Sequence, residues 1–185
     1  HFDVKRSKSI LAIKAAMDLN REIFIITQEN IEAEDPDEQD LYQIGVVCTI
    51  KQLLKADDNT IRVLIEGKYR AKLVRILSAT PFLLSDVRRM PRTSRKKHTE
   101  EETEGLMRFV KTLFQNYCGA LPNVSQELVS RILSKDDPEE LFTAIVPNLL
   151  CAYEDKQALL EKTGAYAALE ELAEVLDHEC TLLEI

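Results

Sequence analysis

The sequence is poor in the residues from which most nucleotide-binding and hydrolase sites are built. Its five glycines stand at positions 45, 67, 105, 119 and 164, and no two are closer than the 14 positions from Gly105 to Gly119. Glycine-rich loops that hold phosphate groups with backbone amides need several glycines within a few residues, and so does the nucleophile turn of many serine hydrolases. The chain therefore contains no local phosphate-binding loop and no such nucleophile turn.

Histidine and cysteine are also scarce. The four cysteines lie far apart with no Cys-x-x-Cys pair, a pattern that favours free thiols in a reducing compartment over disulfides or a zinc site. His178 and Cys180 are two positions apart, so they point to different faces of a helix and do not form a metal-binding pair. The acidic run at residues 100–104 is typical of a helix start, where carboxylates complement the helix dipole. We predict no catalytic, cofactor-binding or metal-binding residue.

Long apolar runs are missing as well. No stretch approaches the roughly 18 to 20 apolar residues that a membrane helix needs, and the opening residues resemble neither a start site nor a signal peptide. We expect the chain to begin inside a longer protein. An apolar stripe also runs from Leu169 to Leu183 without a glycine or proline stop, which predicts a last helix that is truncated at Ile185.

Charge divides the chain into two halves. Residues 1–98 carry 18 basic against 14 acidic residues, whereas residues 99–185 carry 6 against 18, which gives the net charge of −8. The segment from Pro91 to His98 is polar and basic, with no apolar side chain to bury. We therefore predict a domain at residues 1–90, an exposed linker at 91–98 and a second domain at 99–185.

The first half has the two-residue alternation of half-buried strands, around residues 46–50 and 61–65, with a turn at residues 57–59. A third strand is predicted at residues 22–27, central in the sheet because Ile23–Ile26 is continuously apolar. Gly67 is predicted to break the second strand, and residues 82–90 supply a further one. One helix precedes them, with Ile10, Ile13, Ala16 and Met17 on its apolar face and Ser7 or Ser9 as its cap.

The second half changes to helical periodicity. Thr99 with Glu102 has the spacing of a capping box, Ser125 caps a short helix, and Asp137 followed by Pro138 marks another helix start. Gly119 and Gly164 are predicted to follow helix ends. The apolar face of the first of these helices is predicted to consist of Leu106, Phe109, Val110, Leu113, Phe114 and Tyr117. Five amphipathic helices follow, so the sequence predicts an α+β chain: a mainly-β domain with a short helix, then a helical bundle.

Residues 40–76 carry a resemblance to a known family. The segments Asp40-Leu41-Tyr42, residues 50–55 and residues 61–67 with Tyr69-Arg70-Ala71, together with Gly45, resemble the amino-terminal domain of the ATP-dependent protease Lon. The resemblance extends over the whole chain and is weakest at residues 88–148. The chain departs from the family in lacking the opening proline-rich strand before His1, the nucleotide-binding motifs and the Ser-Lys dyad.

The resemblance implies a PUA-like β pseudo-barrel followed by a helical bundle, and a role in substrate recognition and assembly. It implies a cytoplasmic parent, a homohexamer that acts as an ATP-dependent serine endopeptidase on misfolded and short-lived regulatory proteins. The implied partners are unfolded or damaged proteins and other copies of the parent chain, with no membrane. ATP and magnesium belong to the parent, so no cofactor is expected in this fragment.

Two other functions stay open at the level of sequence. One is a free-standing Lon-domain adaptor, which a parent reading frame continuing into a nucleotide-binding motif would exclude. The other is a PUA-like RNA-binding protein, supported by the basic residues of segment 88–97 and disfavoured by the net charge of −8 and the lack of interleaved aromatics.

Three cations at the start of the first helix are the candidate substrate contacts. Lys5, Arg6 and Lys8 crowd a helix amino terminus, where the dipole disfavours positive charge, so folding alone gives little reason for them. A role in solubility is the alternative.

Overall fold

The computed structural model describes residues 1–57 and 59–183, and the contacts within it divide the chain into two units, His1–Met90 and Pro91–Ile185. The described part of the first unit contains an antiparallel sheet and one α-helix, whereas that of the second contains only helices. The α+β class that the sequence predicts is therefore confirmed.

The sheet of the first unit is built from five described strands. They are β1 (Phe2–Val4), β2 (Glu22–Ile25), β3 (Ile44–Asp57), β4 (Thr60–Ser78) and β5 (Leu84–Arg89), with the helix α1 (Ser7–Asp18) between β1 and β2. The order is β1-β4-β3-β2, and β5 pairs with the second half of β4. β2 is therefore an edge strand with half-buried side chains, and the predicted central position is wrong.

A long hairpin of β3 and β4 forms the middle of the sheet. Alternation along β4 is as predicted, with Val63 buried between the exposed Arg62 and Leu64. Gly67 does not break this strand: Val47 pairs with Tyr69 and Cys48 with Gly67, so Lys68 is an extra residue that bends the ladder without ending it. The predicted turn at residues 57–59 includes Asp58, which lies outside the described residues.

The α1 helix covers one face of the sheet. Its predicted stripe packs as expected, because Ile13 and Ala16 are buried against Ile50 and Val63, with Ile10 and Met17 beside them. The predicted cap is wrong. Arg6 occupies the cap position without a side-chain cap bond, and both serines lie inside the helix, because β1 ends only two residues earlier and fixes where the helix can begin.

The second unit contains α2 (Glu100–Ala120), α3 (Gln126–Leu133), α4 (Pro138–Ile145), α5 (Tyr153–Glu161) and α6 (Ala165–Leu183), with a short 3₁₀ helix at Val146–Asn148. Their starts follow the predicted signals. The side chains of Thr99, Ser125 and Asp137 each accept a hydrogen bond from the backbone N–H three residues ahead, at 3.1, 3.3 and 2.9 Å. Thr99 and Glu102 form the reciprocal capping box.

Apolar faces of these helices enclose one core, whose largest fully buried side chains are Phe114, Tyr117, Leu141, Ile145, Leu169, Leu172 and Leu176. Two predictions about α2 are wrong. Phe109 is 54% exposed, and Met107 is buried instead. Gly119 lies within the helix, which continues to Ala120.

The predicted linker keeps exposed side chains from residue 91 to 97, but two of its residues lie against residues 164–166, around the start of α6. The ring of His98 stacks on that of Tyr166, with centroids 3.6 Å apart. Gly164 adopts φ +90° before α6, and a Cβ there would meet the Cβ of Ser94 at 2.9 Å. Gly164 is thus required both for its left-handed backbone and for the close approach of residue 94.

Candidate functional site

Nucleophilic and metal-ligating side chains do not cluster in the described part of the chain. Among residues 1–57 and 59–183, no group of three or more His, Cys, Asp or Glu residues is placed to hold a metal ion. The four cysteines are free, and burial raises the pKa of the Cys48, Cys118 and Cys151 thiols. A raised pKa keeps a thiol protonated, so these cysteines are poor nucleophiles at neutral pH.

The described helices also include none that is long and apolar enough to cross a lipid bilayer.

Arg6 and Lys8, two of the three predicted substrate contacts, are placed against the segment between β2 and β3. The guanidinium of Arg6 donates from Nη1 to Oε1 of Gln28 at 2.7 Å, and Lys8 Nζ donates to both carboxylate oxygens of Asp35 at 2.6 and 2.8 Å. Lys5 is exposed. Arg6 and Lys8 therefore have a structural role that the sequence did not indicate: they anchor residues 28–35 to the start of α1.

The same segment is organised by its own polar side chains. The amide nitrogen of Gln28 donates to the carbonyl oxygens of Asn30 and Ala33, at 2.7 and 2.8 Å. Further on, Asp37 and Asp40 cap a short 3₁₀ helix at Glu38–Asp40. These hydrogen bonds order a stretch of chain that contains no strand of its own.

A groove of ≈ 280 Å³ opens between this segment and the end of β4. Its polar rim is formed by Lys8, Asp35, Asp37, Glu38 and Gln39, and its apolar wall by Pro36, Ile76, Ala79 and Leu83. The carboxylate of Glu38 accepts a hydrogen bond from the backbone N–H of Ile76 at 3.2 Å, which holds the two sides together. Lys8 thus lies at the edge of the groove, but in a salt bridge with Asp35.

Exposed apolar side chains are frequent on the first unit. Leu54 and Leu64 are 52% and 44% exposed on the β3–β4 hairpin. Because Leu64 pairs with Gln52, it is the diagonal neighbour of Leu54 on the same face of the ribbon. Other exposed apolar residues of this unit are Leu11, Leu19, Ile31, Val74, Leu77 and Leu84. Sequence reasoning could not identify this set, since strand periodicity alone does not show which face is covered.

Comparisons with known proteins agree across both units. Residues 1–178 match the family model described as the ATP-dependent protease La (LON) substrate-binding domain. Over 185 residues, the chain is 35% identical to the Lon proteases of Brevibacillus choshinensis and Heliobacterium modesticaldum. It is fully covered in both alignments but spans only 23% and 22% of the length of those relatives.

Two solved structures share the fold. The N-terminal domain of Mycobacterium avium complex Lon protease superimposes with a TM-score of 0.63 at 18% identity, over 95% of this chain and 89% of that one. The Lon N-terminal domain protein of Xanthomonas campestris gives a TM-score of 0.60 at 12% identity, over 94% and 86% of the two chains.

Proposed function

Because this chain belongs to the family of the Lon substrate-binding domain, we propose that it recognises protein substrates on behalf of an ATP-dependent protease. The observation that carries the proposal is the match of the family model to residues 1–178, which spans the sheet of the first unit and nearly all of the helical second unit. In this proposal the sheet is a PUA-like pseudo-barrel, and the five helices form a bundle.

Catalysis belongs, in this proposal, to portions of a longer protein. The chain spans less than a quarter of the length of the Lon proteases that it matches. We assign the serine peptidase, the ATP and magnesium sites, and the contacts of a cytoplasmic homohexamer to a parent of that kind. The residues of this chain do not fit ATP, because its glycines are isolated and Gly45 serves a close approach of two strands.

The substrates we propose are unfolded or damaged proteins. Such chains expose apolar side chains, and a surface that buries them gains roughly 25 cal/mol per Å² of apolar area removed from water. The half-exposed pair Leu54 and Leu64 offers that kind of surface on two paired strands. Pairing of the two strands lowers the entropic cost of binding, because the backbone that carries these side chains is already ordered.

Binding can be tested with one protein in two states. A model protein that is permanently unfolded by reduction and carbamidomethylation should bind the purified chain, and its native form should not, as measured by fluorescence anisotropy. Leu54→Ser with Leu64→Ser should weaken binding. The control Leu150→Ser with Leu182→Ser, which removes two exposed apolar side chains from the second unit, should not. Equal binding of both states, or of neither, would contradict the proposal.

The predicted contacts Lys5, Arg6 and Lys8 need a test that separates contact from anchoring. Lys8→Ala and Asp35→Ala both break the same ion pair, but only the first removes a cation. If Lys8 contacts substrate, Lys8→Ala weakens binding and Asp35→Ala does not. If the pair only anchors the segment, both variants weaken binding alike, and Lys5→Ala has no effect.

A further inference from the structure

Two cations lie directly opposite each other on β4 and β5. Lys72 pairs with Arg88 in the antiparallel register, and both side chains are exposed. Residues directly opposite in such a pair project to the same face, where like charges destabilise the sheet. Neither cation has a hydrogen-bond or ion-pair partner among the residues that the structure describes. The direct opposition of these two charges therefore does not stabilise the sheet.

The neighbouring positions show that the ribbon is able to match its charges. Arg75 pairs with Asp86 along the same two strands, with Nη2 3.3 Å from Oδ2. Arg89 lies next to Arg88 with its guanidinium carbon 4.6 Å from the centre of the Tyr69 ring. Arg89 is opposite the buried Ala71 and so projects to the other face of β5, which leaves Lys72 and Arg88 as the excess positive charge on this face, on a chain whose net charge is −8.

Apolar side chains border these cations. Val74 and Leu77 follow Lys72 at positions where β4 has an extra residue, and they are 51% and 50% exposed. Leu84, at the start of β5, is 50% exposed. A phosphate backbone would leave such side chains in contact with water, whereas a polypeptide can cover them while its carboxylates meet the cations.

We propose that this basic ribbon, defined by Lys72, Val74, Leu84 and Arg88, binds substrate segments in which acidic and apolar residues lie side by side. The inference rests on the proposed function, since it specifies the substrate class that the chain recognises. It has a distinctive consequence. Removing Lys72 and Arg88 relieves their repulsion, so substrate binding and folding stability should move in opposite directions.

The test uses three unstructured, fluorescent peptides of equal length and equal apolar content, carrying acidic, neutral or basic residues. We expect the acidic peptide to bind most tightly, with an affinity that falls as salt is added. Lys72→Ala with Arg88→Ala should weaken acidic-peptide binding roughly tenfold, as expected from the loss of two exposed charge pairs, without lowering the melting temperature. The charge-preserving exchange Lys72→Arg with Arg88→Lys should retain binding.

The control is Lys14→Ala with Lys156→Ala, which removes the same charge from two exposed helix positions. Equal weakening by this control would overturn the proposal, because net charge alone would then explain the effect. It is also overturned if the charge-preserving exchange loses binding, or if a single-stranded RNA binds more tightly than the acidic peptide. Binding of the unfolded model protein without preference for the acidic peptide rejects this inference but leaves the proposed function standing.

Discussion

Gly45→Ala tests how closely β2 and β3 approach each other. A Cβ at position 45 would lie 2.3 Å from the carbonyl oxygen of Ile25 and 2.9 Å from the Phe24 ring. A ring can move, but the oxygen belongs to a backbone whose pairing with Val46 and Val47 fixes it. The strands would have to separate, so we expect the variant to unfold more easily.

The expected cost follows from two opposing effects. Forcing extra volume into a packed region costs typically 1–3 kcal/mol. Alanine in place of glycine recovers roughly 0.5–1 kcal/mol, since it restricts the unfolded chain. The net loss in the free energy of unfolding should be about 1–2 kcal/mol. For a unit of this size, each kcal/mol lost lowers the melting temperature by roughly 4–8 °C.

Calorimetry and urea denaturation followed by circular dichroism measure this loss, and hydrogen exchange of the β2 and β3 amides locates it. The matched control is Gly67→Ala, whose Cβ would lie 3.5 Å from the nearest atom, Cγ1 of Val46, an ordinary contact. That variant should be unchanged or more stable by about 0.4–1 kcal/mol. The reasoning is refuted if Gly45→Ala is as stable as the parent chain, or if Gly67→Ala is the more damaging of the two.

Three further predictions concern the cap, a titration and the domain boundary. Asp137→Ala should destabilise the helical unit by about 1 kcal/mol, since the N–H of Glu140 loses its acceptor; a denaturation curve unchanged from the parent would contradict this. The Arg62 guanidinium holds the pKa of the Asp3 carboxyl below its usual range. The pair therefore stabilises the fold fully at pH values above the usual pKa of an aspartate, and this contribution is lost as the pH falls through the lowered pKa. Carboxyl NMR should show the lowered pKa, and Arg62→Gln should bring it back. Limited trypsin digestion should cut first within residues 91–97, where the side chains are exposed, and earlier cuts inside strands would show that the boundary is misplaced.

Features set by neighbours in the sequence could be predicted. The caps at Thr99, Ser125 and Asp137 depend on contacts three residues away, and each was placed correctly from the sequence. Features set by the sheet could not. The apolar run from Ile23 is typical of a central strand, yet β2 lies at the edge, because its place depends on which strands pair with β3.

The candidate site shows the same division. The sequence shows that Arg6 and Lys8 are unusual at a helix start. Their partners, however, are Gln28 and Asp35, which lie 22 and 27 residues away. Only a fold that brings residues 28–35 back to α1 shows the anchoring role. Phe109 illustrates the converse, since its helical position matches the apolar stripe and yet its side chain is 54% exposed among the described residues.

The opposed cations on β4 and β5 depend on register alone. Leu73 is 4% exposed and pairs with the half-buried Val87, so the core fixes both strands in this alignment and directs Lys72 and Arg88 outward together. A slip by one residue would bury charge and expose Leu73, at a greater cost than the repulsion. Register therefore explains why the two positions face each other, but not why both carry cations, since a neutral or acidic residue at either would fit the same alignment. An anionic partner supplies that reason, which is why stability and binding must be measured on the same variants.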